Sequence, residues 1–208
     1  MIAADLYLNT IDFLKYLPGT DCQECGDYSC GEFLQKLKKG LTSPEKCPAL
    51  ELNQVRAFSL ALEAEHILPQ VPALDLPRPA PAGLLEINNP DELSSVVISG
   101  NSEFTQEIVT AIMACTTSPF WVLFVDCRGD TVDMAMIYHS LTVAGIRKSL
   151  PETLAEHLQG QLILPGFARS LAGELAGTTG CEVTVGPRCI VELPLFLGEQ
   201  WQVAGDVH

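Results

Sequence analysis

Three cysteines fall within nine positions of the chain, in DCQECGDYSC (21–30), and a fourth follows in SPEKCPAL (43–50). Cys22, Cys25, Cys30 and Cys47 are separated by two, four and sixteen residues. Four thiolates from one small unit can close around a [4Fe–4S] cluster, which takes four cysteine ligands. A tetrahedral zinc site takes the same set. Zinc sites usually pair two short CxxC knuckles, and here there is one, so the spacing favours iron–sulfur over zinc. Four unligated thiols remain the bland alternative, but packing gives no reason to crowd three of them together. Gly26 and Gly31 would let backbone amides turn toward cluster sulfurs, and such hydrogen bonds tune a cluster's potential. Cys115, Cys127, Cys181 and Cys189 have no short spacing and lie in or beside apolar segments, so they are expected in the core.

The elements that must position these thiols come next. Leu6, Leu8, Ile11, Phe13, Leu14 and Leu17 are spaced for a short amphipathic helix, broken by Pro18-Gly19. GEFLQKLKKG (31–40) predicts a helix with Phe33, Leu34 and Leu37 on one face and Gly40 as its stop. NQVRAFSLALEAEHIL (53–68) predicts another. Residues 69–92 hold six prolines and read as an extended linker rather than an element. Beyond it, SSVVISG (94–100), FWVLFVDC (120–127), QLILPG (161–166) and EVTVGP (182–187) read as strands. They alternate with helical stretches at 102–115, 131–150 and 170–180. The fold class expected is therefore α/β: a small α-helical four-cysteine [4Fe–4S] domain, then a Rossmann-like, mostly parallel α/β domain. The boundaries are 1–60 for the cluster domain, 61–92 for a helix and the linker, and 93–208 for the α/β domain. Ligands of such sheets sit at the carboxyl ends of the strands, near a switch in strand order.

Composition narrows the function classes. Of 208 residues, 47% are hydrophobic and 18% charged, enough apolar material for a real core. The formal net charge is −14, and the one basic cluster is Lys36, Lys38 and Lys39, so no nucleic acid is expected as partner. No run reaches the roughly 18 apolar residues of a membrane span. MIAADLYLNTIDF has no basic n-region, and a cytoplasmic location is the expectation. In that compartment clustered cysteines are read as metal ligands rather than disulfides. The hydrolase and nucleotide motifs GxGxxG, GxxxxGK[ST] and GxSxG are absent.

The stretch YLPGTDCQECGDYSCGEFLQKLKKGLTSPEKCPAL (16–50) resembles the small four-cysteine [4Fe–4S] domain of the corrinoid/iron–sulfur protein large subunit family. This is the gamma subunit of acetyl-CoA decarbonylase/synthase, the CO dehydrogenase complex. NSEFT (101–105), VDCRG (125–129), LILPGFARSLAGEL (162–175), TGCEVTVGPR (179–188) and ELPLFL (192–197) are similar to its C-terminal α/β domain. In the family a TIM barrel lies between the two, whereas here the proline-rich segment stands in its place, so the resemblance is to a condensed form.

That resemblance implies a corrinoid (cobalamin) at the carboxyl ends of the strands, carrying a methyl group, with the cluster returning Co(II) to Co(I). It implies cofactor contacts from Asn101 and Thr105 after the first strand, and Gly129 and Thr131 after the second. Pro165, Gly166, Phe167 and Ala168 follow the third strand, and Gly186, Pro187 and Arg188 the fourth. Thr105 and Arg188 would bond corrin amides or the nucleotide tail. Met134 stands where the family has a small polar residue. His66, His139, His157 and His208 give no cobalt-ligand motif, which agrees with a family that holds its corrinoid without a protein histidine. The expected partner is a TIM-barrel small-subunit-like protein or a methyltransferase. The alternative is an electron-transfer or accessory protein that docks on a corrinoid partner and binds no corrinoid itself.

Overall fold

The computed structural model describes residues 7–68 and 77–204. Where a single N-terminal amphipathic helix is expected, the chain instead makes two 3-10 turns, Leu8–Thr10 and Phe13–Tyr16. The Asp12 carboxylate accepts from the Leu14 amide and caps the second turn, and only Phe13 of that turn is buried. Residues 21–29 contain no helix or strand. Helix α1, Cys30–Lys38, starts where the Ser29 hydroxyl accepts from the Glu32 amide at 3.1 Å, and it buries Phe33 and Leu37. Its last turn carries Lys36 and Lys38, which suit the negative end of the helix dipole. Helix α2, Leu52–Leu62, is opened by a reciprocal cap between Glu51 and Gln54 and followed by the short α3, Ala64–Ile67.

Strand β1, Gly83–Ile87, falls inside the proline-rich segment that the sequence assigns to a linker. It sits at the sheet edge and pairs antiparallel with β3, Phe120–Val125. An edge position tolerates neighbouring prolines because only one side must donate to a ladder. Strands β2 (Val96–Gly100), β4 (Leu162–Leu164) and β5 (Val183–Val185) complete a five-stranded sheet in the order β1-β3-β2-β4-β5. All neighbours except β1 run parallel. The fold is thus α/β with a mixed, mostly parallel sheet, as expected.

Side chains alternate across the sheet, and both faces are buried. Val97, Val122, Phe124 and Ile163 face one core, while Val96, Ile98, Leu123, Val125, Leu162 and Leu164 face the other. The second core is covered by α5 (Val132–Ile137), α6 (Val143–Ser149) and α8 (Ala172–Thr179) through Ala135, Ile146 and Leu175. The spacing over 131–150 predicts one helix, but the chain breaks it at His139, whose φ is 54°. Helix α7 is Glu152–His157, and helix α9 (Leu193–Leu197) has no counterpart in the sequence reading.

The first core reaches beyond the sheet. Helix α4 (Glu103–Met113) contributes Ile108, Val109, Ile112 and Met113, and the N-terminal unit adds Phe13, Phe33, Leu37 and Phe58 to the same cluster. Trp201, fully buried, stacks near Phe120 with ring centroids 5.6 Å apart. The cysteine-bearing unit is therefore docked on one face of the sheet through a continuous apolar core. Glu192, 5% exposed, fastens it: it pairs with Lys15 at 2.6 Å and accepts from the Tyr16 hydroxyl at 2.7 Å. Burial and that bond push the Tyr16 phenol far up.

Candidate functional site

The cysteine loop is built from tight local turns. Asp21, Gln23 and Gly26 have φ of 47°, 64° and 88°, a left-handed geometry that costs non-glycine residues energy. The Asp21 carboxylate accepts from the Cys30 amide at 2.7 Å, tying the loop to the start of α1. Asp27, nearly buried, is neutralised by Lys36, and the hydrogen bonds that Lys36 donates to Asp27 and Glu32 raise its pKa.

Cys22, Cys25, Cys30 and Cys47 are all free thiols. Cys47 belongs to the core, Cys25 and Cys30 pack against that same core, and Cys22 is exposed. Among the described residues, no three His, Cys, Asp or Glu side chains close into a metal-ligating group. The donor chemistry nonetheless fits a thiolate-bound metal centre: four cysteines, three in or against the first core and the fourth exposed on the loop. Metal binding and local ordering are coupled in such sites. The other cysteines behave differently: Cys115, Cys127 and Cys189 are buried, Cys181 half-buried, and burial pushes the Cys127 thiol up to about 11.

The second region lies at the carboxyl edge of the sheet. The chain leaves β2 for β3 on one side and β4 for β5 on the other, so the order switches between β2 and β4. Their pairing covers only Val96↔Leu162 and Val97↔Ile163. Where it ends, a cavity of about 100 Å³ opens, floored by Val97, Ile98, Ile108 and Ile163. Thr105, Thr131, Pro165, Phe167, Gly186, Pro187 and Arg188 line it. These come from the segments that follow all four parallel strands, Thr105 from the first turn of α4. Arg188 lies over the Phe167 ring at 5.4 Å.

Two glycines let the loops meet. A Cβ on Gly166 would lie 2.9 Å from the Arg188 amide nitrogen, and one on Gly186 would lie 3.0 Å from the Ile163 side chain. Gly166 works as packing, and so does Ala168, which is fully buried. Asn101 and Gly129 are engaged elsewhere. Asn101 is buried and donates to the Ala80 carbonyl at 2.9 Å, while its side-chain oxygen accepts from the Cys127 and Gly129 amides. A Cβ on Gly129 would lie 2.3 Å from the Pro79 nitrogen. The chain's own residues 78–80 thus lie against these two positions. Met134 is half-buried and outside the cavity lining.

The cavity also takes residues that sequence reasoning missed. Tyr7 packs on Phe167 with ring centroids 4.9 Å apart and donates to Asp133 Oδ2 at 2.7 Å. The Thr131 hydroxyl donates to Asp133 Oδ1 at 2.6 Å. Burial pushes the Asp133 carboxyl up, but the bonds from Thr131 and Tyr7 outweigh it and hold the pKa below the usual range. The bond to Asp133, with burial, pushes the Tyr7 phenol up to about 12. Asp133 was signalled by its place two residues after Thr131 at a helix start. Nothing local singles out Tyr7.

With both regions described, the relatives can be placed on them. Residues 17–49 match a family model described as "Putative Fe-S cluster". Residues 68–197 match the model for the CO dehydrogenase/acetyl-CoA synthase delta subunit, more than half of the chain. The chain belongs to this family. The relatives carry the gamma name: "Acetyl-CoA decarbonylase/synthase complex subunit gamma" of Methanopyrus kandleri is 28% identical over 126 residues, 60% of this chain and 27% of that protein. Its namesake from Methanocaldococcus jannaschii is 30% identical over 127 residues, 60% of this chain and 26% of its own length. That of Archaeoglobus fulgidus is 26% identical over 121 residues. The chain thus spans about a quarter of the length of the curated relatives it matches. The iron–sulfur match lies over Cys22, Cys25, Cys30 and Cys47 and supports an iron–sulfur cofactor. Among the described residues, no helix is long and apolar enough to cross a membrane.

Proposed function

We propose that the chain is a condensed corrinoid/iron–sulfur carrier that works in one-carbon transfer. Cys22, Cys25, Cys30 and Cys47 would hold a [4Fe–4S] cluster, and the strand-end cavity would take part of a corrinoid. Bound there, the corrinoid would supply a cobalt that accepts and passes on a methyl group, and the cluster a one-electron reduction from Co(II) to Co(I). The chain's own residues do the holding: Thr105 and Thr131 offer hydroxyls, Arg188 a charged fork, and Pro165, Phe167 and Pro187 an apolar rim. Val97, Ile98 and Ile108 give the cavity an apolar floor.

The observation that carries this reading is the meeting of residues from four separate strand-end loops in one cavity at the switch in strand order. The names of the relatives make a protein partner part of the proposal: a TIM-barrel small-subunit-like protein or a methyltransferase. The test is iron, sulfide and corrin content of anaerobically purified protein, incubated with hydroxocobalamin and then desalted. About four irons and retained corrin per chain are expected. Iron without corrin favours the second reading, an electron-transfer or accessory protein docking on a corrinoid partner. The small cavity, and the engagement of Asn101 and Gly129 by residues 78–80, favour that second reading. Zinc in place of iron contradicts both.

A further inference from the structure

The strand-end cavity is small, and Tyr7 lines part of it. Ligand pockets usually measure about 300–1,000 Å³, whereas this cavity has about 100 Å³. Three of its polar side chains are already joined to one another. Thr131 and Tyr7 both donate to Asp133, and Arg188 lies on Phe167, whose ring also meets Tyr7. A large flat ligand cannot reach Phe167 and Asp133 while Tyr7 covers them.

Tyr7 reaches this place at a cost. Its φ of 60° and ψ of 21° put a tyrosine in the left-handed region, which persists only where the surroundings hold it. The segment that follows it is clamped farther along, where Lys15 and Tyr16 meet the buried Glu192. Ile11, Phe13 and Leu17 anchor the part between in the core. Glu192 lies on the 3-10 turn Ile190–Glu192, just past the loop that supplies Arg188 to the cavity. After Leu17 the same segment runs into the cysteine loop at Asp21 and Cys22.

We propose that Tyr7 is a latch over the strand-end site: a ligand entering there must lift it, and lifting it loosens the short strap behind it, where the Thr10 amide and hydroxyl donate to the Tyr7 carbonyl. The coupling is reciprocal, because whatever frees the strap opens the site by the same factor. This rests on the reading of the cavity as a corrinoid site.

The test compares the full-length wild type, Tyr7→Phe and Tyr7→Ala, each titrated with hydroxocobalamin, with amide exchange followed over residues 8–16. Tyr7 is a third exposed, so neither variant removes core. The latch predicts that Tyr7→Ala binds about tenfold more tightly, that Tyr7→Phe gains a few-fold, and that hydroxocobalamin speeds exchange in the wild-type strap. Weaker binding by Tyr7→Ala overturns it, since Tyr7 is then a wall of the site. Equal affinities in all three, or exchange unchanged by ligand, overturn the latch and leave the cofactor reading standing. No binding by any of them overturns both.

Discussion

The cysteine loop and the strand-end cavity gather their residues in opposite ways. The loop takes three thiols from nine consecutive positions, through left-handed turns at Asp21, Gln23 and Gly26, with Cys22 left in solvent. The cavity takes residues from four loops far apart in the chain and holds them by sheet pairing and close-packed glycines. One region brings its thiols near one another by adjacency in the chain. The other is formed by the fold before any ligand arrives. Damage to one should therefore spare the other.

The largest effect expected is at the loop. Cys25→Ser or Cys30→Ser should abolish stable iron incorporation, read as iron per chain after anaerobic reconstitution, while hydroxocobalamin binding persists. Cys115→Ser, outside the loop, should leave the iron content unchanged. Equal iron loss from both kinds of substitution would erase the distinction between the two sets of cysteines.

Next comes the backbone of the cavity. Gly166→Ala should cost about 1–3 kcal/mol in denaturant unfolding, because its Cβ meets backbone that cannot turn aside. Iron content should survive it. Arg188→Ala should weaken hydroxocobalamin binding about tenfold, roughly 1.4 kcal/mol, with no change in unfolding midpoint.

The smallest effect is a titration. The difference between the ultraviolet pH titrations of wild type and Tyr7→Phe isolates the Tyr7 phenol, expected at about 12. The raised value means that its bond to Asp133 contributes fully below about pH 10, the ordinary tyrosine value, and is lost as pH rises toward 12. A transition near pH 10 would show that Tyr7 is not held.

Much of this was legible in the sequence, for definable reasons. The three central parallel strands, β2, β3 and β4, are largely apolar runs buried on both faces, and their composition alone marks them. The cysteine loop is a matter of spacing. Strand β1 escaped because the prolines around it signal an extended linker and do not reveal an edge pairing with β3. The break at His139 escaped because apolar periodicity continues across it, and the N-terminal segment kept helical spacing while forming two 3-10 turns. In the cavity, the loops after strands could be named, but which of their residues face inward depends on topology. Asn101 and Gly129 lie under residues 78–80, a packing that no local pattern announces. Tyr7 is joined to Asp133 across the whole chain, and only the fold reveals that pairing.

The central claim is that one chain couples a cluster in the cysteine loop to cobalt at the strand ends. The direct measurement is the Co(II) electron paramagnetic resonance signal of anaerobic, iron-reconstituted protein loaded with cob(II)alamin, followed after addition of a low-potential reductant. Wild type should lose the signal as Co(I) forms, and Cys25→Ser, equally loaded, should retain it. Loss of the signal at the same rate in both, or its persistence in wild type with the cluster reduced, would contradict the account.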